Sequence, residues 1–183
     1  LIPLAKPEHK EQFKQDLATC LEQFEPIFLH HYGQGLCEKM GLPHFHKDSL
    51  DCSFAFLRIL QTEQLDYTQS FIRLQNKEYK TLRDDCLDLR QFDAFLHQYQ
   101  EIRKTQDTDE LDRVMQSANP HYILRNHMAQ KAIELAERGD FSEVDRLFKL
   151  LNQPYQKQPE LETEQDTAPL PSDVPEVMVS CSS

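Results

Sequence analysis

Apolar side chains recur every three or four residues through most of this chain, and that spacing constrains the fold more than any other feature. The first such run comprises Phe13, Leu17, Leu21, Phe24 and Phe28. Residues at this spacing share one face of an α-helix. The alternation of apolar and polar residues that marks a half-buried strand is missing, and β-branched residues are sparse. The sequence therefore predicts an all-α fold with minimal sheet.

Glycine, proline and N-capping residues mark the boundaries between the predicted helices. Pro26 is expected to kink or split the first helix. A cluster of helix breakers then interrupts the pattern, at Gly33, Gly35, Gly41 and Pro43. Asp48 or Ser49 is a suitable N-cap for the next helix. The apolar face of that second helix comprises Leu50, Phe54, Leu57 and Leu60.

Three further helices are predicted before residue 119. A short helix starts from Asp66, with Phe71 and Leu74 directed inward. Another is marked by Phe92, Phe95, Leu96 and Tyr99. A third, shorter helix covers residues 107–115.

The clearest predicted element is a helical hairpin. Asn119 is a preferred N-cap and Pro120 is tolerated at the first helical position, so a helix is predicted to start there. Gly139 is expected to end this helix in the left-handed conformation. Asp140 and Glu143 have the spacing of a capping box for the next helix. The predicted core faces comprise Ile123, Leu124, Met128, Ala132, Ile133 and Ala136, then Val144, Leu147, Phe148 and Leu151.

A change in composition separates a helical region, residues 1–152, from a tail, residues 153–183. The tail contains five prolines, and its six acidic residues face a single lysine. Such a segment cannot bury enough apolar surface by itself to offset its chain entropy, which predicts an extended tail. Its apolar stretch Val177-Met178-Val179 suits docking as an extended arm on another surface, ahead of the terminal Ser180-Cys181-Ser182-Ser183.

Charge and glycine content argue against several classes of function. The chain has 183 residues and a net charge of -11, so it should repel a phosphate backbone, and no nucleic-acid partner is expected. No apolar run approaches the roughly 20 residues that cross a bilayer, so no membrane partner is expected. Only four glycines are present, which argues against a complete nucleotide-binding site within these residues.

The five cysteines fit a reducing cytoplasm better than a secreted disulfide framework, because they are odd in number and widely spaced. A conceivable zinc ligand set is Cys37, His44, His46 and Cys52. Its spacing matches no tight ligand pair. Buried helix cysteines and loop histidines explain the pattern as well, so no metal ligand is assigned.

The charged clusters also have structural interpretations. Asp84, Asp85 and Asp88 lie among arginines, which is typical of a solvated helix face with charge pairs. Arg125 is expected to form an interhelix salt bridge or a cap; the alternative is that it fixes the hairpin against another domain. No serine or cysteine has an identifiable base partner, so no catalytic residue is assigned.

Two motifs are specific enough to suggest a family. The first runs from Asn119-Pro120-His121-Tyr122-Ile123-Leu124-Arg125-Asn126 to Ala136-Glu137-Arg138-Gly139-Asp140-Phe141. The second is the terminal Val179-Ser180-Cys181-Ser182-Ser183. Together they resemble the C-terminal signature of the selenoprotein O family, the pseudokinase-like protein adenylyltransferases. In some eukaryotic members selenocysteine replaces the terminal cysteine.

The resemblance implies a protein-kinase-like fold in the full-length protein, of which this chain is the irregular helical C-terminal region. Members transfer AMP from ATP to Ser, Thr or Tyr hydroxyls of other proteins, with Mg²⁺ or Mn²⁺. None of the family's ATP-binding or metal-binding residues matches a position here, so this chain is expected to bind neither. Its implied partners are its own N-terminal kinase-like region and the protein substrates, and its implied compartment is the cytoplasm.

Cys181 is the one position to which the resemblance assigns a functional role. It matches the family's redox-type cysteine, which implies a reversible disulfide with a cysteine outside this chain that restrains the active site. Two alternatives stay open. One is a free-standing helical interaction module without catalysis. The other is a small thiol-redox protein that uses Cys181, although no CxxC motif supplies a partner.

Overall fold

The computed structural model describes residues 6–43, 46–104 and 107–168, and the regular structure in these ranges is helical throughout, which confirms the all-α prediction. A short 3-10 helix at Pro7–His9 leads into the first α-helix. The helices are α1 Lys10–Met40, α2 Lys47–Thr62, α3 Tyr67–Gln75, α4 Tyr79–Asp84, α5 Leu89–Lys104, α6 Thr108–Ala118, α7 Asn126–Ala136, α8 Ser142–Asn152 and α9 Glu164–Thr167. None of these helices has both the length and the apolar content needed to cross a bilayer.

Two clusters of buried side chains hold the helices together. The larger is built by the end of α1 with α2, α3, α4, α5 and α6, and the predicted inward residues Phe71, Leu74 and Tyr99 are buried in it. At its centre the Phe56 ring stacks on Phe95, with 4.8 Å between ring centroids. The smaller cluster joins α7 to α8 and comprises Tyr122, Met128, Ala132, Leu147 and Leu150.

Helix α1 continues without a break from Lys10 to Met40. Pro26 therefore does not split this helix, and of the predicted cluster of breakers Gly33 and Gly35 lie inside it while Gly41 ends it. Gly33 serves packing, because a Cβ atom there would lie 2.7 Å from Leu50 Cδ2 of α2. The helix ends at Gly41, which has φ +58 and donates its N–H to the Glu38 carbonyl over 3.1 Å.

The predicted helix starts are confirmed at α3 and wrong at α2. Helix α3 starts after Asp66 as predicted, and Asp66 is its N-cap, since its carboxylate accepts a 2.8 Å hydrogen bond from the Gln69 N–H. Helix α2 instead begins after His46, which places Asp48 and Ser49 inside its first turn and makes that predicted cap wrong. The carbonyl of His46 already accepts the N–H of Leu50 over 3.1 Å.

The helical hairpin begins later than predicted. Asn119 is the C-cap of α6, and residues 119–125 are irregular before α7 starts at Asn126, so the predicted start is wrong. The reason is tertiary, because the Asn119 amide donates 2.7 Å to the Lys39 carbonyl and 3.1 Å to the Met115 carbonyl. Asn119 thereby satisfies backbone groups at the ends of α1 and α6.

The turn between α7 and α8 follows one prediction and departs from another. Gly139 adopts the left-handed conformation as predicted, with φ +84. Asp140 accepts a 3.0 Å hydrogen bond from the Ser142 N–H. Glu143 pairs with Arg146 instead of reaching back, so the predicted capping box is wrong.

Only part of each predicted core face of the hairpin is buried. Met128, Ala132 and Leu147 lie in the smaller core, whereas the other side of the same stripes is exposed. The exposed members are Leu124, Ile133, Val144 and Phe148. Two helices alone bury only the strip between them, so the wider predicted stripe is wrong for these positions.

The first part of the predicted tail packs against the hairpin. Residues 153–168 form turns and the short helix α9, instead of the extended conformation expected there. The Tyr122 hydroxyl donates 2.6 Å to the Glu162 carboxylate and accepts 2.8 Å from the Gln158 N–H. The predicted docking stretch Val177-Met178-Val179 lies outside the described residues.

Candidate functional site

The cysteines and histidines of the conceivable zinc set do not form a metal site in the described structure. Cys37 and Cys52 are completely buried in the larger core, which confirms their interpretation as buried helix cysteines. His44 and Cys181 lie outside the described residues. In residues 6–43, 46–104 and 107–168, no three His, Cys, Asp or Glu side chains converge to hold a metal ion.

Burial controls the chemistry of the described cysteines. Burial raises the pKa of Cys52 to about 12 and also raises the pKa of Cys37. The pKa of Cys86 is raised to about 11 by burial and, to a smaller extent, by the nearby Glu63 carboxylate. Cys20 is exposed on α1. Because the thiolate is the reactive form, the three buried thiols are poor nucleophiles.

We expect an alkylating reagent at mildly alkaline pH to label Cys20 of residues 1–183 rapidly. Cys37, Cys52 and Cys86 should react only after unfolding, because reagent and hydroxide are excluded from the core. Peptide-level mass spectrometry measures each rate separately, with a urea-unfolded sample as the control for intrinsic reactivity. Labelling of Cys52 at the rate of Cys20 in native buffer would contradict this prediction.

The acidic cluster at residues 84–88 is used for structural bonds. Asp85 pairs with Arg73 of α3. Asp88 accepts backbone hydrogen bonds of 3.1 Å from both Arg90 and Gln91 at the start of α5. The Asp85–Arg73 contact confirms the predicted charge pairing, whereas the expected helix face is wrong, because Asp85 and Asp88 lie in the turn between α4 and α5.

Arg125 forms the interhelix salt bridge that the sequence predicts. Its side chain is buried, and Nη1 donates 2.6 Å to Asp66 Oδ2, the N-cap of α3. Burial opposes the ionisation of Asp66, but the bonds from Arg125 and from the Gln69 N–H outweigh it and lower its pKa. The pair ties the segment before α7 to the larger core.

A second arginine anchors residues 158–168. Arg146 of α8 donates from Nη1 to Asp166 Oδ2 over 2.7 Å and from Nη2 to Asp166 Oδ1 over 2.9 Å. It also pairs with both carboxylate oxygens of Glu143 and donates 2.7 Å to the Leu161 carbonyl. These bonds use all five N–H donors of the guanidinium group. We call Arg146, Glu143 and Asp166 the Arg146 clamp.

The Arg146 clamp is not among the sequence predictions, although one signal for it was present. Thr163 and Asp166 have the spacing of a capping box, and they form one at the start of α9. That bond turns the Asp166 carboxylate back toward the hairpin, where it is 1 % exposed. A cap in a proline-rich acidic segment therefore indicates local order that composition alone argues against.

Two hollows of the described surface are poor candidates for a nucleoside triphosphate, because one is small and the other carries Glu162 and Glu164. A cleft of about 150 Å³ beside Lys39 is smaller than the roughly 300–1,000 Å³ of typical ligand sites. Lys39 itself donates 2.9 Å to the Ala118 carbonyl and lies over the rings of Tyr67 and Phe71. An open hollow of about 540 Å³ is lined by Lys157, Pro159, Glu162, Thr163, Glu164, Thr167 and Ala168.

The most unusual feature of the described surface is an apolar face on the first half of α1. The predicted shared face is present, but Leu21 is 71 % exposed, Phe24 62 % and Phe28 49 %, so the described residues do not cover it. The rings form a ladder, with 5.9 Å between the centroids of Phe24 and Phe28 and 5.5 Å between those of Phe28 and Tyr32. We call Leu21, Phe24, Phe28 and Tyr32, with Phe54 of α2, the α1 aromatic face.

Comparison with known proteins identifies the class of protein. The family model described as "Protein adenylyltransferase SelO" matches residues 3–152. A "Protein nucleotidyltransferase YdiU" of Pectobacterium atrosepticum is 37% identical over 174 residues, which is 91% of this chain and 35% of the relative. The YdiU protein of Pseudomonas fluorescens is 35% identical over 160 residues, 84% of this chain and 33% of the relative. The chain belongs to the SelO family of protein adenylyltransferases, as its motifs suggest, and spans about a third of the length of these curated relatives.

Proposed function

We propose that this chain is the helical C-terminal part of a protein nucleotidyltransferase that, at full length, transfers AMP from ATP to Ser, Thr or Tyr hydroxyls of other proteins. The observation that carries the proposal is the family match over residues 3–152. The relatives' name, protein nucleotidyltransferase, supports the same class of reaction. Because this chain spans about a third of those relatives, most of the enzyme lies outside it.

The described residues do not fit ATP or its Mg²⁺ or Mn²⁺ ion. They bring no three metal-ligating side chains together, and the larger hollow carries Glu162 and Glu164 against Lys157. Carboxylates there would repel a triphosphate. In the proposal, an N-terminal kinase-like region outside this chain binds ATP and the metal ion. Residues 1–152 then support that region, and they have a structural or regulatory role.

Cys181 has a redox role in this proposal, through a reversible disulfide with a cysteine in the rest of the enzyme. Burial argues against Cys37, Cys52 and Cys86 as that partner, whereas Cys20 is exposed and competes with a cysteine outside this chain. A peroxide would accept the two electrons and two protons that the two thiols release as the S–S bond forms. Disulfide mapping of the oxidised full-length protein by mass spectrometry tests this role, and a Cys181 that stays free would exclude it.

The cytoplasm is the compartment that this proposal favours, because its glutathione keeps unpaired thiols reduced. Protein substrates, and not nucleic acids, are the proposed partners, consistent with the net charge of -11. A free-standing interaction module is the second candidate function. The observation that favours it is the exposed α1 aromatic face, since large exposed apolar patches mark interaction sites.

Transfer of label from ATP separates these two functions. We expect the full-length protein to attach label to protein when ATP is labelled at the α-phosphate, and purified residues 1–183 to attach none. ATP labelled at the γ-phosphate is the control, because AMP transfer leaves that phosphate in pyrophosphate. Labelling by residues 1–183 alone, or labelling by the full-length protein only from the γ-phosphate, would contradict the proposal.

A further inference from the structure

The stretch of α1 from Ala18 to Tyr32 is poorly covered by the rest of the described residues. Every side chain from Ala18 to Tyr32 is exposed, and burial begins only at Gly33. Pro26 lies inside this stretch and removes one backbone hydrogen bond. Helices of about this length are marginal alone in water and depend on packing of an apolar face.

The α1 aromatic face supplies the apolar surface for such packing. Phe24, Phe28 and Tyr32 follow one another at four-residue steps, and Tyr32 continues the ladder to Phe54 of α2, with 6.5 Å between ring centroids. Cys20 precedes Phe24 by the same step and so shares this side of the helix. The face therefore bridges two helices and ends where the larger core begins.

We propose that the α1 aromatic face is the surface on which the remainder of the same enzyme packs. This inference rests on the proposed function, in which this chain is one part of a longer nucleotidyltransferase. The chain spans 35% of its Pectobacterium relative, so about two thirds of such a protein is available to cover the face. The occupant is an apolar surface of that remaining polypeptide.

The charges beside the face support this occupant over a second copy of the chain. From Gln15 to Glu38 the helix carries no Lys or Arg, while Asp16, Glu22 and Glu25 are acidic. Two copies that paired through this face would bring these carboxylates together, and like charges at an interface are unfavourable. The occupant should therefore present Lys or Arg residues around an apolar centre.

Hydrogen exchange of the full-length protein tests the inference directly. In the wild type we expect the backbone of residues 18–32 to exchange about tenfold or more slowly than in the Phe24→Asp/Phe28→Asp variant. The matched control is Gln15→Asp/Thr19→Asp, which adds the same charge to α1. Gln15 precedes Phe24 by nine positions, about two and a half turns, and so lies on the opposite side. The control should keep the slow exchange.

A second measurement guards against a variant that fails to fold. Alkylation of Cys20 in the unsubstituted full-length protein should be slow if the face is covered, and the milder Phe24→Ala/Phe28→Ala variant should speed it. Fast exchange of residues 18–32 together with fast alkylation in the wild type would overturn the inference. A concentration-dependent dimer that protects the face and is lost in the variant would also overturn it, in favour of a second copy.

The labelled-ATP assay on the same samples keeps the two claims separate. A full-length protein that transfers AMP while residues 18–32 exchange rapidly would contradict the proposed docking surface and leave the proposed function in place. A full-length protein in which residues 18–32 are protected from exchange, but which transfers no AMP, would contradict the proposed function and leave the docking surface in place.

Discussion

Replacing Asp166 with asparagine is expected to release residues 158–168 from the α7–α8 hairpin. Asp166 is almost completely buried and accepts two hydrogen bonds from Arg146 and one of 2.6 Å from the Thr163 N–H. The substitution removes one of the two carboxylates that compensate the largely buried charge of Arg146 and leaves Glu143 as the other. Removing one partner of a buried ion pair costs roughly 3–5 kcal/mol, and asparagine keeps one acceptor, so we expect a value near the lower end.

Hydrogen exchange and urea unfolding of residues 1–183 measure this effect. Exchange of residues 158–168 should accelerate more than exchange of the larger core, because the Arg146 clamp joins these residues to α8 and does not contact the larger core. Asp145→Asn is the matched control, since this exposed carboxylate lies next to Arg146 in sequence and is removed by the same substitution. A surface change of this kind alters stability by about 0.5 kcal/mol or less. Equal losses from the two substitutions would contradict the role of the Arg146 clamp.

The Arg146 clamp also predicts an acid-sensitive tail. Hydrogen bonds from Arg146 lower the pKa of Glu143. Burial opposes the ionisation of Asp166, but the bonds that its carboxylate accepts from Arg146 and Thr163 outweigh this effect, so the pKa of Asp166 is also lowered. A carboxyl group whose pKa is lowered by folding stabilises the folded state above its unfolded pKa of about 4. Docking of residues 158–168 should therefore be constant near neutral pH and weaken as the pH falls below about 4. NMR shifts of Tyr122 can follow this transition, which should be smaller in Asp166→Asn.

Sequence patterns predict this fold well where the determining contacts are local. The start of α3 after Asp66 and the left-handed Gly139 depend on neighbours within a few residues, and both are confirmed. The continuation of α1 past Gly33 and the start of α7 depend on distant contacts. Gly33 packs on Leu50 of α2, and Asn119 bonds to the Lys39 carbonyl eighty positions away, so neither feature follows from local propensity.

The candidate site shows the same limit in another form. Periodicity places Leu21, Phe24 and Phe28 on one face of a helix, and the structure agrees. It does not say what covers that face, because a core residue and a docking residue have the same chemistry. The Arg146 clamp joins residues twenty positions apart, so it could not be predicted without knowing that the chain brings Asp166 next to α8.

Replacing Phe56 with alanine is expected to destabilise the larger core severely. Phe56 is 0 % exposed, and its ring contacts both Phe95 of α5 and Phe71 of α3, the latter edge-on with 5.3 Å between centroids. The truncation removes the contacts that join three helices and leaves a cavity. Such Phe→Ala changes cost about 3–5 kcal/mol.

Urea unfolding of residues 1–183 measures the loss in the free energy of unfolding. The expected loss is a large part of the total, because typical domains have an unfolding free energy of only about 5–15 kcal/mol. Phe148→Ala is the matched control, since that ring is 67 % exposed on α8 and the same atoms are removed. The control should change the unfolding free energy by about 0.5 kcal/mol or less. A loss below about 1 kcal/mol in Phe56→Ala would mean that α2, α3 and α5 do not share one close-packed core.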